Sequence, residues 1–154
     1  MKGEKFFDVK MIALLIGLVF LLAAMAALGA PSLDKRLYYT GLEAREFFSR
    51  LSAQDAANYR LNEIIDLGFI LLYTFTLVLT FVRLYPRSKL LYWIAFAPAV
   101  FDLIETGSIL HVLNFGETFP VLSWLGAATF LKWASTVVAL GLILRGGLRR
   151  VSLG

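Results

Sequence analysis

Residues 62–84 read NEIIDLGFILLYTFTLVLTFVRL. From Leu67 to Val82 nothing is charged, and at about 1.5 Å of rise per residue the whole stretch is long enough to cross ~30 Å of hydrocarbon as a helix. Its few polar residues are not scattered. Tyr59, Asn62, Glu63, Asp66, Tyr73 and Thr80 fall on one stripe at helical spacing. That pattern predicts a membrane span with one polar side facing protein. Three further runs of similar length, at 11–29, 90–113 and 120–144, extend the reading to the whole chain of 154 residues. Only 17% of the residues are charged and 59% are hydrophobic, with a mean hydropathy of +0.75, whereas a soluble domain carries about a quarter charged residues. The expected fold is all-α: one domain over residues 1–154, a bundle of four transmembrane helices.

The first run follows Lys2, Lys5 and Lys10 and ends in an alanine-rich stretch, which is also how a secretory signal peptide looks. It is longer than a usual signal core, and Pro31 would directly follow a cleavage site at Ala30, so a retained span is the expectation. The basic residues orient the bundle. Nine Lys and Arg fall in the N-terminus, the 83–89 connection and the C-terminus, against five in the first loop and none in the last. By the positive-inside rule both termini are expected in the cytoplasm. The loop over residues 31–60 then lies outside and carries its own signal. Thr40 and Glu43 have capping-box spacing, and Ala44, Phe47, Phe48 and Leu51 recur every three or four residues opposite Glu43, Glu46, Ser49 and Arg50. A short amphipathic helix over residues 41–51 is expected on the outer surface. Ser52 and Asp55 repeat the cap, so the second span is expected to begin near Ala53.

Without cysteine there is no disulfide, thiolate metal site or cysteine nucleophile. No basic stripe is interleaved with aromatics, which excludes a nucleic-acid reading. The chemistry-bearing candidates are ionisable groups inside spans, each costing ~2.5 kcal/mol or more to insert. Asp66 lies about one turn below the outer surface. Asp102 and Glu105 are near the middle of the third span and Lys132 near the middle of the fourth, so antiparallel neighbours bring them to similar depth. Glu63 and Tyr73 share the stripe of Asp66 and complete the expected pocket. Thr129, Lys132, Ser135 and Thr136 line up with Ala128 and Ala139 on a small, polar face of the fourth span. Pro98, one turn before Asp102, deprives the Ile94 carbonyl of its usual donor beside the acidic pair. His111 sits about half a turn round from Asp102 and is expected at the outer boundary.

Tyr59, Asp66 and Tyr73, the segment Pro98-Ala-Val-Phe-Asp102-Leu-Ile-Glu105-Thr and the segment Phe130-Leu-Lys132-Trp133 together resemble a widespread group of small prokaryotic four-helix membrane proteins with no assigned activity. In that group the third helix more usually reads Asp-x-x-Glu-Asn, where this chain has Thr106. The resemblance implies a fold and no reaction.

Three carboxylates against one lysine leave an excess of two negative charges if all ionise, so a proton, a metal ion or a cationic ligand is expected to supply the balance. The leading expectation is a pocket open to the outer side that binds or transports a proton, a cation, or a cationic or lipidic ligand. Two others stand beside it: a lipid-acting intramembrane enzyme using paired carboxylates as acid and base or as metal ligands, and a structural or accessory subunit whose polar cluster only fixes helix packing. The partners expected are membrane lipid and a second copy of the chain or another membrane protein. The residues name no cofactor.

Overall fold

The computed structural model describes residues 8–33, 36–116 and 119–151. Among these the chain is helical, with no strand: α1 Val9–Leu28, α2 Gly41–Ser49, α3 Ala53–Leu84, α4 Lys89–Phe115 and α5 Phe119–Val151. All but α2 are long and apolar enough to cross a membrane.

Local chemistry sets the helix ends. The Asp8 carboxylate accepts from the Met11 amide at 3.0 Å and starts α1. Arg83 at the end of α3 reaches the same carboxylate at 2.8 Å. That amide bond and the guanidinium hold the Asp8 carboxyl below its ordinary value. Gly29, at φ 57°, ends α1 in the left-handed region that glycine enters without a Cβ clash. Thr40 and Glu43 close a full capping box at the start of α2, and the amide and hydroxyl of Thr40 depress the Glu43 carboxyl. Ser52 caps α3 by accepting from the Asp55 amide at 3.1 Å, which accounts for a helix start well before the apolar run. At 32 residues α3 is about 48 Å long, some 18 Å more than the hydrocarbon needs. The helix α4 continues through Pro98 and stops at Gly116, φ 88°.

Packing follows the order α1, α3, α4, α5. The helix α1 lies on α3, α3 on α4, and α4 on α5, with a smaller contact between α3 and α5. The short α2 lies on α5. Two apolar layers result. One, at the α2 end, joins Leu33, Tyr39, Ala44, Tyr59, Ile109 and Leu125, with Phe47 and Phe48 against Tyr59 at ring separations of 5.7 and 6.3 Å. The other, at the opposite end, centres on Phe81, Ala95 and Ala139. Between them lies a layer of buried polar residues: Asp66, Asp102, Glu105, Thr106 and Thr129. The outward faces are apolar, Phe20, Phe75 and Val137 among them being mostly exposed, as lipid contact requires.

Candidate functional site

The polar layer is assembled by helices α3, α4 and α5 and by one loop residue. The Lys132 ammonium sits between two carboxylates of α4, 3.1 Å from Asp102 Oδ1 and in direct contact with Glu105 Oε2. The Asp-x-x-Glu spacing puts both acids on one helix face, so a single lysine can serve both. Its side chain is only 12% exposed, too deep to snorkel.

Each acid has further partners, and these differ. The other oxygen of Asp102 accepts from the Tyr73 hydroxyl at 2.9 Å. Glu105 Oε1 takes the Thr129 hydroxyl and, at 3.4 Å, the Tyr39 hydroxyl. Tyr39 and Thr129 are themselves 3.1 Å apart. Asp66 accepts from Thr106 at 3.0 Å, so the threonine standing where the resembled group has asparagine donates to a carboxylate. Trp133 lies beside the lysine, its ring centroid 5.9 Å from Nζ, a distance at which the ring face attracts the cation.

A cavity of about 760 Å³ opens onto one side of this layer. Asp66, Tyr73, Asp102 and Lys132 form its polar wall, joined by Asn62, and most of the remaining lining is apolar. Of the six residues expected at the pocket, these four line it. Glu105 and Glu63, both fully buried, do not. Glu105 stands behind Lys132, held by Tyr39 and Thr129. His111 is exposed, in a shallow groove between α4 and α5, with its ring 5.2 Å from Phe115. Among the described residues no group of three or more His, Cys, Asp or Glu has metal-holding geometry.

Two parts of the site have no periodic signal in the sequence. Tyr39 comes from the loop before α2 and reaches the layer because its backbone presses on Gly126 of α5. Gly126, beside Ala127 and Ala128 in the span, is the one trace of this. The other part is α1 and the residues just after it: Leu22, Met25 and Ala26 of the helix, then Gly29 and Ala30, line one side of the cavity.

No family model, no curated protein and no solved structure matches the chain.

Proposed function

We propose that the chain is a membrane-embedded binding protein whose cavity receives a cationic ligand on the carboxylates of Asp66 and Asp102. One observation carries this reading: a mostly apolar cavity of about 760 Å³ with two carboxylates on its wall and a single ammonium, Lys132, already shared with Glu105 behind it. The volume lies within the ~300–1,000 Å³ of ligand sites, and the lining has their pattern, apolar with a few convergent polar groups. Ionised, Asp66, Asp102 and Glu105 exceed Lys132 by two charges. Low dielectric favours a cation that offsets them.

The same reading places both termini in the cytoplasm and α2, with its apolar side on α5, at the outer surface. The cavity then reaches outward past Asn62. The test is thermal unfolding of the purified protein in a nonionic detergent with tetramethylammonium, and with acetate as the anionic control. Stabilisation by the cation that disappears in Asp66→Asn supports the reading. Equal response to both ions, or none to either, sinks it.

A second reading, that the layer only fixes helix register, is favoured by the saturation of Glu105 by Lys132, Thr129 and Tyr39. It describes the Glu105 half of the layer and leaves the cavity on the Asp66 half without a role.

A further inference from the structure

The mouth of the cavity carries a polar group that the described residues leave without a hydrogen bond. Asn62 lines the cavity and is only 6% exposed, yet among the described residues its carboxamide has no hydrogen-bond partner. A buried amide is costly unless its two donors and its acceptor are answered. Ser32 lines the same mouth, half-buried and likewise without a hydrogen bond among the described residues. The segment carrying it is held to α3 by the Leu33 amide, which donates to the Tyr59 hydroxyl at 3.3 Å, about one turn before Asn62. Asn62 itself lies one turn before Asp66, where the charge-free run of α3 gives out. That is the level at which a lipid carries its ester and hydroxyl groups.

Away from this mouth the cavity is long and mostly apolar. It runs along α3 to Leu77, about 22 Å on the helix axis, with Met25 and Phe69 beside it, and along α5 to Leu140. Its side between α1 and α5 faces the bilayer: α1 packs on α3, and α5 on α4, α2 and α3, but no comparable packing joins α1 to α5.

We infer that a single-chain lipid with a hydroxy-ester head, in its simplest form a monoacylglycerol, enters between α1 and α5, with its ester and hydroxyl on Asn62 and Ser32 and its chain along Met25, Leu77 and Leu140. Nothing in this recognition uses the charge of Asp66 or Asp102, each of which has partners in the layer, so it stands apart from the cationic reading. An ester alone accepts and does not donate, which leaves the Asn62 oxygen unanswered, whereas an ester with a hydroxyl answers both ends of the carboxamide. The chain gains little on leaving lipid for an apolar wall, because both surroundings are equally apolar. It therefore aligns the lipid, and the carboxamide selects it. One chain suits the volume of about 760 Å³, that of a site for a drug-sized molecule.

The experiment uses the full chain in phosphatidylcholine nanodiscs with monopalmitoylglycerol carrying a diazirine at the end of its chain, and maps the adducts by peptide mass spectrometry. Adducts are expected on the peptides holding Leu77 and Leu140. Unlabelled monopalmitoylglycerol should displace them at a concentration at least tenfold below that of methyl palmitate, which has the same chain and ester and no hydroxyl. Asn62→Leu, which keeps the side chain's size and every charge, is expected to lower the adducts at least tenfold. Ala26→Phe, at an exposed position of α1 on the cavity, narrows the doorway and leaves Asn62 in place; it is expected to remove them too, and keeps the test decisive if Asn62→Leu misfolds. Undiminished labelling in Asn62→Leu, or equal displacement by the two esters, means that water serves the carboxamide and overturns the selection. Adducts spread over lipid-facing residues such as Phe20 and Val137, with no excess at Leu77 and Leu140, overturn the site. The thermal response to tetramethylammonium is a separate readout, so either failure leaves the cationic reading to its own test.

Discussion

Gly126→Ala isolates the contact that ties the loop before α2 to the polar layer. A Cβ built on Gly126 stands 1.8 Å from the carbonyl oxygen of Tyr39 and 2.9 Å from its carbonyl carbon. The obstruction is backbone, so no side-chain rotation relieves it, and the loop must retreat by about 1 Å or more before ordinary contact is restored. Helix propensity alone predicts the opposite sign, since alanine is favoured over glycine by about 1 kcal/mol in a helix interior. Against that stand ~1–3 kcal/mol of overpacking and the Tyr39 bond to Glu105, which at 3.4 Å is long for an O–H···O bond and is worth the ~0.5–1.5 kcal/mol of an ordinary hydrogen bond. The balance is a destabilisation of about 0.5–3.5 kcal/mol. Gly107→Ala and Gly141→Ala are the controls, because a Cβ at either meets nothing within 4 Å, and both are expected to be neutral or stabilising. Reversible unfolding in mixed micelles, followed by tryptophan fluorescence, compares the three. If Gly126→Ala moves with its controls, Tyr39 is not seated on α5 and its link to Glu105 is lost with it.

Three further outcomes are expected. Lys132→Ala should cost ~3–5 kcal/mol by leaving two buried carboxylates uncompensated, with the loss shrinking as they protonate at low pH, whereas Lys132→Met combined with Asp102→Asn and Glu105→Gln should recover most of it; unfolding free energies across pH decide. The stabilisation from Asp8 and Glu43 should be fully present above the ordinary carboxylate range near pH 4 and lost as pH falls through their depressed folded values; amide exchange at Met11 and Thr40, whose N–H groups donate to these carboxylates, should rise only there, and a rise already at pH 6 refutes the assignment. A cysteine at Ser88 in this cysteine-free chain should resist an impermeant thiol reagent in intact cells while one at Ser49 reacts, and the reverse labelling overturns the orientation.

The spans were legible because hydrocarbon allows few solutions: a long apolar helix with one polar stripe has to turn that stripe toward protein. The caps at Thr40 and Ser52 were legible because short-range hydrogen bonding depends only on neighbours in the sequence. The meeting of Lys132 with Asp102 and Glu105 followed from depth alone, since a mid-span lysine has no water to reach. What stayed out of sight depends on lateral order. Nothing in residues 11–29 says that α1 stands on α3, and so nothing says that Met25 and Asp66 line one cavity. Tyr39 lies in a loop without periodicity, where a side chain's direction follows from the tertiary path of the backbone. Glu63 and Tyr73 share a stripe, yet Tyr73 reaches the cavity and Glu63 does not, because 3.6 residues per turn places them on different edges of the same polar face.

The position of Lys132 divides the layer into two halves with different work. Glu105 is fully enclosed and receives a cation and two hydroxyls, so its charge is balanced by the protein itself and its replacement by glutamine should be felt in stability. Asp66 accepts from the Thr106 hydroxyl at 3.0 Å and lines the cavity. Asp102 stands between, sharing its lysine with Glu105 and its other oxygen with Tyr73. A polar layer that served only to fix register would have no reason for this asymmetry, since a symmetric set of pairs would fix it equally well and leave no cavity to fill. Lys132 and Glu105 hold α4 against α5, while Asp66 and Asp102 are the two carboxylates of the layer that line the cavity.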